Sequence, residues 1–391
     1  MKKTIMLFFT LSLTLFGMSY AKFKEHTLKN SKILKSQQLS LQVTQQENNI
    51  LLRTSNPTLN LEASRFNEKI GNNSFGYSIS ASQTIRTGSY MDGIKNKTYA
   101  STLLRKAFVT QGKAGYIKGL EGLYTDYVYQ NKMLSLLQQE YKLSNKVTNM
   151  VKERFKNGSD NKVSYLQART ETLTLKTQMY TTKQQVNRLY YQLLAVAGFR
   201  KKVSLEKRFI YSVSSKTKNS SKFSPQQQIL QAKEKVYQSD LSMNQSSLQN
   251  YDVYAGMEKE PDQSILRLGV NIPLSMNNDR SEERMLAKLQ GQQTKLDREQ
   301  LSLNIHSQKQ MLKASIRELS AQYYALKTLQ KEQQELTSLL QEGYKIAKGS
   351  LFEMMSAKDK LIQTRKALLQ TQKIINDQKI KLRFLQGDYN D

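Results

Sequence analysis

The sequence has no cysteine and only two histidines among its 391 residues. The absence of cysteine excludes disulfides, thiolate metal sites, thiol nucleophiles and a lipid attached to an amino-terminal cysteine. The two histidines, His26 and His306, lie far apart in polar surroundings. Because a single imidazole without nearby ligands holds no metal tightly, we expect both side chains at the surface, and we expect neither a metal nor another cofactor.

Proline and glycine are also scarce, with 4 and 17 residues respectively. These two residues interrupt helices most strongly. The chain is instead rich in Leu, Gln, Lys, Ser and Thr. The composition therefore predicts long helices with few breaks.

Long apolar runs are missing, apart from a short one near the start of the chain. Two lysines precede an apolar run over residues 5–16, and small residues follow at Ser19 and Ala21. This order is typical of a secretory signal peptide. The run of about 12 residues is too short to cross a bilayer, which requires about 20. We predict that residues 1–21 are a signal peptide cleaved after Ala21.

Acidic residues are outnumbered, with 32 Asp and Glu against 60 Lys and Arg, which gives a formal net charge of +28. A chain this basic suggests a nucleic-acid partner. Export would keep the protein away from DNA, however, and the basic residues are scattered rather than gathered on one aromatic-bearing element. We therefore predict no nucleic-acid binding, with most basic side chains on solvated helix faces.

The chain repeats its own pattern with an offset of 189 residues. The register holds over more than 120 residues without a gap, although few positions are identical. Examples are the pairs Leu137 and Leu326, Phe155 and Tyr344, Ala168 and Ala357, Leu193 and Leu382, and Gly198 and Gly387. The pattern predicts a first repeat over residues 22–198, a basic and Ser-rich connector over 199–224, and a second repeat over 225–391.

Each repeat is predicted to contain a helix, a pair of strands, a very long helix, a break and another long helix. A proline after residue 56 ends the first helix, because the residue before proline avoids helical geometry. The first repeat is predicted to have helices at 24–55, 99–156 and 162–197 and strands at 58–64 and 77–86. In the second repeat the strands are predicted at 251–258 and 266–275, and the long helices at 279–347 and 351–385.

The four strands alternate apolar and polar residues, as in Leu266, Leu268 and Val270 with Arg267 and Gly269 between them. Alternating segments of about 9–11 residues are typical of transmembrane β-barrels. A sheet with one buried face and one solvated face shows the same alternation. The strand pattern by itself leaves both interpretations open.

The long helices favour the barrel. A helix over residues 279–347 would extend about 100 Å, which exceeds a compact domain, so it must pack side by side with other helices. Leu312, Ile316, Leu319, Tyr323 and Leu326 form a coiled-coil seam by their spacing. Four strands cannot close a membrane barrel, and open edges in lipid are costly, so the chain must oligomerise. Two copies would supply eight strands and three would supply twelve.

Two segments resemble the hairpin tips of TolC-like outer membrane factors. The first is RFKNG at 154–158 followed by YLQAR at 165–169, and the second is the equivalent run at 344–357. Ala347 stands where the family usually has glycine. The run VNIPL at 270–274 is similar to the family's strand-to-helix exit. The resemblance covers nearly the whole mature chain.

The resemblance implies a mainly helical protein with a small β part, in which three protomers form a helical periplasmic tunnel and a barrel of about twelve strands in the outer membrane. It implies the passive channel of a tripartite efflux or type I secretion system. The implied partners are two further copies of the chain, a periplasmic adaptor (membrane fusion protein), an inner membrane transporter and outer membrane lipid. The missing cysteine after the signal fits the non-lipidated TolC-type branch.

The resemblance also implies two sets of functional residues at the hairpin tips. Tyr344 and Glu353 correspond to the narrow end of the tunnel, although seam packing for Tyr344 and a solvated charge for Glu353 remain open. The residues expected to contact the adaptor are Phe155, Gly158, Ser159, Val163, Ala347, Ser350 and Leu351.

We find no grouping of carboxylates with a histidine or nucleophile, so we predict that the chain is not an enzyme. The competing class is an exported periplasmic coiled-coil structural or interaction protein, against which the barrel-type strands in both repeats argue. Four glycines at 112, 115, 119 and 122 follow one helical stripe. Glycine in a helix costs about 1 kcal/mol against alanine, so we expect a neighbouring helix to approach closely there.

Overall fold

A computed structural model describes residues 17–67, 74–215, 222–274, 279–346 and 348–390. These residues form a mainly helical protein with one small sheet, as predicted. The helices are α1 (Tyr20–Asn30), α2 (Lys32–Leu52), α3 (Gly88–Lys156), α4 (Lys162–Ala197), α5 (Pro225–Met243), α6 (Ser281–Lys345) and α7 (Leu351–Leu385). The strands are β1 (Thr58–Phe66), β2 (Ser74–Arg86), β3 (Asn250–Lys259) and β4 (Ser264–Asn271).

Two long helical hairpins, α3–α4 and α6–α7, make up most of the molecule. The 69 residues of α3 correspond to a length of about 100 Å. On α7, the residues Leu361, Leu368, Ile375 and Leu382 follow one another in steps of seven, and all four are buried. This confirms the antiparallel coiled-coil prediction for the second hairpin.

The predicted start of α3 at Tyr99 was wrong, because the helix begins eleven residues earlier at Gly88. Two glycines in this segment argue against a helix by propensity. Packing outweighs that cost: Ile94 is buried, and Gly93 lies so close to α5 that a Cβ there would be 2.5 Å from the Cα of Met243. The sequence pattern does not contain this contact between distant segments.

The single helix predicted over residues 24–55 was also wrong, since α1 and α2 are separate helices. Ser31 between them has an extended backbone and is buried, and its side chain accepts a hydrogen bond from the backbone N–H of Leu34. Serine is a favoured N-cap residue because its oxygen satisfies an N–H that the helix leaves unpaired. The break is therefore a capped helix start.

The two halves of the chain place the same elements at equivalent positions. α3 and α6 end at Lys156 and Lys345, which are 189 residues apart. The equivalent glycines Gly198 and Gly387 both have positive φ, at 72° and 74°. Glycine adopts this conformation without strain, and both glycines follow the last helix of their repeat. The repeat in the sequence is therefore also a repeat in backbone conformation.

The sheet is antiparallel throughout, in the order β1-β2-β3-β4. Leu61 lies opposite Ile79, Ile79 opposite Met257, and Met257 opposite Leu266. Because alternate residues point to opposite faces of a strand, this register collects the apolar side chains of all four strands on one face. The prediction for 266–275 ran too far: β4 ends at Asn271, two residues before Pro273, and Ser275 lies outside the described residues.

Four helices adjoin the sheet in the order α2, α3, α5, α6. α2 packs against α3, and α5 packs between α3 and α6. Nearer the hairpin tips, α3 packs against α4 and α7, and α7 packs against α6. In the part of the chain that the structure describes, no helix has an apolar stretch long enough to span a bilayer.

Midway along the hairpins, α1 and the connector lie on the long helices around a buried carboxylate. Glu121 on α3 accepts hydrogen bonds from the hydroxyls of Tyr211, at 2.8 Å, and Tyr389, and Lys24 of α1 lies 3.4 Å away. Burial, together with the charge of Glu121, raises the pKa of the Tyr211 hydroxyl to about 12. The hydroxyl therefore stays protonated and donates, so that the connector and the carboxyl end of the chain are fastened to α3.

Equivalent positions on α4 and α7 hold two parts of the connector. Tyr190 donates its hydroxyl to the carbonyl of Val203 and accepts from the same residue's N–H, both at 3.0 Å. Lys379, 189 residues later and almost fully buried, donates to the carbonyls of Ser212, Val213 and Ser215 at 2.7–3.1 Å. Burial lowers the pKa of the Lys379 ammonium. The two repeats therefore use the same position to hold the connector, with a tyrosine hydroxyl in the first and a lysine ammonium in the second.

Two smaller expectations from the sequence need correction. A Cβ at Gly115, Gly119 or Gly122 would meet nothing within 4 Å, so none of the described helices packs closely on them. At Gly112 a Cβ would meet the side chain of Gln37. His306 is exposed as predicted, but His26 is half-buried and stacks on Phe199 with ring centroids 4.0 Å apart. That histidine packs the end of α4 against α1.

Candidate functional site

The tip of the first hairpin is a tight turn built on glycine. Gly158 has a φ of 70°, and no atom lies within 4 Å of where its Cβ would be, so the backbone conformation and not crowding requires glycine. The N–H of Ser159 donates to the carbonyl of Arg154 at 2.9 Å, which closes the turn. Asn161 then caps α4 by accepting from the N–H of Ser164 at 2.8 Å.

The tip of the second hairpin turns between Lys345 and Leu351. The N–H of Lys348 donates to the carbonyl of Gly343 at 2.9 Å, and Ser350 caps α7 by accepting from the N–H of Phe352 at 3.2 Å. Ala347, expected to contact an adaptor, lies outside the described residues.

The two tips are joined by a polar contact among Arg154, Asp160 and Tyr344, which we call the tip contact. The guanidinium of Arg154 donates to the carbonyl of Tyr344 at 2.7 Å and lies over its ring, 4.5 Å from the centroid. The hydroxyl of Tyr344 donates to the carboxylate of Asp160, which lies 3.8 Å from Arg154. Arg154 and Asp160 of the first hairpin thus both bond to Tyr344 of the second.

The pKa shifts in the tip contact favour its present protonation states. Burial would raise the pKa of Asp160, but the hydrogen bonds from Tyr344 and Ser164 and the charge of Arg154 outweigh burial and leave the pKa below its usual value. Burial and the bond to Asp160 raise the pKa of Tyr344. At neutral pH the carboxylate is therefore charged and the tyrosine keeps its proton.

A small apolar core lies directly behind the tip contact. It consists of Val147, Val151, Ala168, Tyr344, Leu351 and Met354 and includes all four helices of the two hairpins. Next to it, Lys358 of α7 is 2% exposed and lies 2.6 Å from Glu171 of α4. The hairpin ends are therefore held together by packing, an ion pair and the tip contact.

The site residues expected from the sequence fall into two groups. Tyr344 and Leu351 are buried in the core behind the tips, where Tyr344 bonds to the other hairpin of its own chain. The exposed group consists of Phe155, Gly158, Ser159, Val163, Ser350 and Glu353. Sequence reasoning missed Arg154 and Asp160, and it missed two apolar side chains at the second tip, Ile346 and Phe352, which are 66% and 77% exposed.

The apolar face of the sheet is the other unusual surface. Leu266 and Leu268 are each 74% exposed, and Leu59, Leu61 and Val270 are more than half exposed. Among the described residues nothing covers this face. The interpretation as a sheet with one buried face is therefore wrong for the isolated chain. The opposite face is polar, with Arg267 bonded to Glu258 at 2.5 Å.

Three comparisons with known proteins complete this description. No protein-family model matches the sequence, and no curated protein matches it. Among solved structures, the outer-membrane channel OprN superposes with a TM-score of 0.80 at 10% identity, covering 95% of this chain and 90% of that chain. The outer membrane protein VceC from Vibrio cholerae gives 0.78 at 10% identity, with 94% and 95% covered.

A third structure, the CmeC outer membrane channel of Campylobacter jejuni, gives a TM-score of 0.76 at 13% identity and covers 94% of this chain and 85% of that chain. The chain has the TolC-like outer membrane efflux channel fold. Identities this low show the fold alone, so the resemblance inferred from the tip sequences is confirmed at the level of architecture.

The layer of helices and strands has two uncovered ends. In the described residues, β1 and β4 each have one edge without a partner strand. Next to them, α2 and α6 each carry an exposed apolar stripe, formed by Leu39, Val43 and Ile50 on α2 and by Leu289, Leu296 and Leu303 on α6. Each end of the layer thus combines a free strand edge with an exposed apolar stripe.

The buried titratable side chains near these surfaces are engaged in structural pairs. Within the described ranges, no group of three or more His, Asp or Glu side chains is arranged to hold a metal ion. The buried carboxylates at Glu121 and Glu140 are paired with Tyr211 and Arg365, which are structural partners joining helices.

Proposed function

We propose that this chain is one protomer of a homotrimeric outer membrane channel, a passive exit duct for substrates delivered by an inner membrane pump through a periplasmic adaptor. The observation that carries the proposal is the uncovered apolar face of the sheet between two unpaired strand edges. Such a sheet would aggregate in water, whereas lipid on the apolar face and neighbouring strands at the edges satisfy it.

Three copies would supply about twelve strands, enough to enclose a channel. The two unfilled sides differ, α2 and β1 on one and α6 and β4 on the other, so contact between copies joins unlike surfaces. Such a head-to-tail interface closes into a ring when the rotation per subunit divides a full turn. The heptad spacing of the exposed stripe on α6 suits packing in the manner of a coiled coil.

The proposed location is the outer membrane, with the long helices extending into the periplasm. Residues 1–21 supply the signal for export, and the strands are of a length that spans the membrane when tilted. From the sheet, α3 reaches about 100 Å to the tips. A duct of that length brings the tips within reach of components anchored in the inner membrane.

The exposed apolar side chains at the tips are the proposed adaptor contact. Phe155 and Val163 lie at the first tip and Ile346 and Phe352 at the second. Between α4 and α7 a groove continues from them, lined in part by Val163, Leu166 and Phe352. Exposed apolar patches of this kind mark protein interaction sites, while Gly158, Ser159 and Ser350 shape the turns that present them.

The membrane assignment is tested by placing arginine on either face of β4. Leu268→Arg puts a charge on the apolar face and should cost about 2–4 kcal/mol near the bilayer midplane, so the trimer should disappear from the outer membrane fraction. Asn271→Arg puts the same charge on the polar face and should leave a heat-dissociable trimer on mild detergent gels. Equal trimer levels for the two variants would favour the exported coiled-coil protein instead.

A further inference from the structure

The connector presents a dense group of positive charges that the channel function does not use. Five of the nine residues at 200–208 are basic, and Glu206 is the only acidic residue among them. We call these nine residues the basic segment. All five basic side chains are exposed: Arg200, Lys201, Lys202, Lys207 and Arg208. Like charges this close repel one another, so holding them together costs stability.

The segment is held rigidly in spite of that cost. Leu205 is buried against α3, and just beyond the segment Phe209 is buried as well. The backbone of Val203 exchanges two hydrogen bonds with Tyr190. The carbonyl of Glu206 accepts from the hydroxyl of Tyr124 at 2.5 Å. The anchors point inward and the basic side chains outward, so little conformational entropy would be lost when an anion binds.

The position of the segment excludes the lipid bilayer as the ligand. α3 begins at Gly88, directly after β2, and Tyr124 lies 36 residues further along the helix. Because Tyr124 bonds to Glu206, the basic segment lies about 50 Å from the end of the strands. Electrostatic attraction is screened over about 8 Å at physiological salt. The segment therefore meets what lies well below the outer membrane.

The composition of the surface favours a polymer over a folded protein. In the described residues from 197 to 215, no large apolar side chain is exposed, although protein interfaces have an apolar and aromatic centre. Arg208 is 84% exposed and has a single weak ion pair, to Glu206 at 3.4 Å. A ridge of exposed charges on a fixed backbone suits a flexible polyanion, whose spacing can adapt.

We infer that the basic segment binds the carboxylate-rich peptides of the bacterial cell-wall glycan, and so fixes the channel in the wall layer that it crosses. The inference rests on the proposed function for its location, since the duct passes through that layer only when the sheet is in the outer membrane. The interaction is electrostatic, between five ammonium and guanidinium groups and the repeated carboxylates of the polymer.

The test is sedimentation of the detergent-purified full chain with insoluble cell-wall sacculi over a range of NaCl concentrations. The wild type should pellet at low salt and be released as salt rises, because the attraction is screened. Glutamine at all five basic positions should weaken binding about tenfold or more. A matched control removes five other exposed positive charges: Lys35, Lys106, Lys288, Lys295 and Arg317. It should pellet like the wild type.

The result that overturns the inference is equal sedimentation of the five-glutamine variant and the wild type, or no sedimentation of the wild type. Sacculi whose carboxyls have been amidated should no longer bind; unchanged binding would also refute it. If vesicles of phosphatidylglycerol or an acidic protein compete as well as soluble wall fragments do, the segment is a general anion site and the inference fails. Single-channel conductance of the same variant tests the proposed function separately, because the basic segment lies outside the sheet and the tips.

Discussion

The first hairpin tip carries Arg154, Phe155 and Asp160, and the equivalent residues of the second tip are Gly343, Tyr344 and Gly349. The aromatic residue is present in both repeats, but in the first it stacks on Tyr165 of its own hairpin and is 37% exposed. In the second it is 2% exposed and bonds across to the other hairpin. The polar partners of the tip contact occur in one repeat only.

This difference shows how a duplicated unit acquires a contact between its copies. A symmetric pair would give each tip the same groups, whereas here one tip supplies a charge pair and the other a hydroxyl and a ring. The apolar core behind the tips draws on both hairpins, so it provides the common part of the packing. The tip contact adds a polar element at the edge of that core, through the hydroxyl of Tyr344.

The largest expected effect is on transport, from a substitution of glycine at the first tip but not at the second. Gly158→Val places a β-branched residue at a φ of 70°, which costs on the order of 1–3 kcal/mol and should abolish transport while the trimer remains in the membrane. Gly158→Asn should be tolerated, because asparagine accepts the left-handed conformation. At the second tip, Gly343→Ala should be harmless, since nothing lies within 4 Å of the new Cβ.

Efflux assays in cells and cross-linking to the adaptor measure these three variants side by side. Normal transport by Gly158→Val would mean that the first turn can be rebuilt without loss, and the assignment of this tip would then be abandoned.

The second-largest effect is on channel opening and comes from the Tyr344 hydroxyl, which the equivalent Phe155 lacks. Tyr344→Phe deletes the donor to Asp160 and leaves a carboxylate with one partner fewer, at a cost of about 1–3 kcal/mol. The open population of the channel should rise by about 5–150-fold, seen as a higher open probability in planar bilayers. Phe155→Tyr adds the same hydroxyl at the equivalent position and should change nothing. Identical traces from the two variants would mean that the tip contact does not hold the channel closed.

A smaller effect follows from pH. Because the pKa of Asp160 is lowered in the tip contact, the contact's stabilisation is fully present above the usual aspartate pKa of about 4 and is lost as the pH falls through the lowered value. Open probability should therefore stay constant from neutral pH to about pH 4 and rise only below it. Asp160→Asn should remove that rise. Opening of the wild type already near pH 6 would point to another titrating group.

The smallest effect is on ion selectivity. Glu353 is exposed in the first turn of α7, and its equivalent in the first repeat is the neutral Ser164. If three copies of Glu353 surround the narrow end of the duct, the pore should prefer cations, and Glu353→Gln should weaken that preference. Asp359→Asn, which removes an exposed charge from the same helix, serves as the control. Reversal potentials in asymmetric KCl give the answer, and an anion-selective wild type would refute the assignment.

The sequence predicted the parts of the fold that depend on periodic patterns. The alternation in β4 and the seven-residue steps on α7 each specify a buried or uncovered face without reference to the rest of the chain. The early start of α3 was not predictable in this way, because Gly93 owes its place in a helix to contact with Met243. The tip contact was missed for the same reason, since Asp160 and Tyr344 are 184 residues apart.

One local signal was nevertheless present. Asp160 directly precedes Asn161, and two short polar residues before a helix suggest that both serve as caps. Asn161 caps α4, whereas the Asp160 carboxylate also reaches across to the hydroxyl of Tyr344 on the other hairpin. A redundant cap at a tip can therefore be considered a candidate partner for the neighbouring hairpin.

Lys358 is shielded from solvent only while the two hairpins stay together, whereas Lys360, two residues further along α7, is exposed. Acylating reagents modify only those amines that they can reach. In intact cells such a reagent would modify Lys360. It would not modify Lys358 as long as Lys358 stays paired with Glu171. The ratio of acylation at the two lysines, read from peptides by mass, would then measure how often the tips separate in the unaltered protein at work.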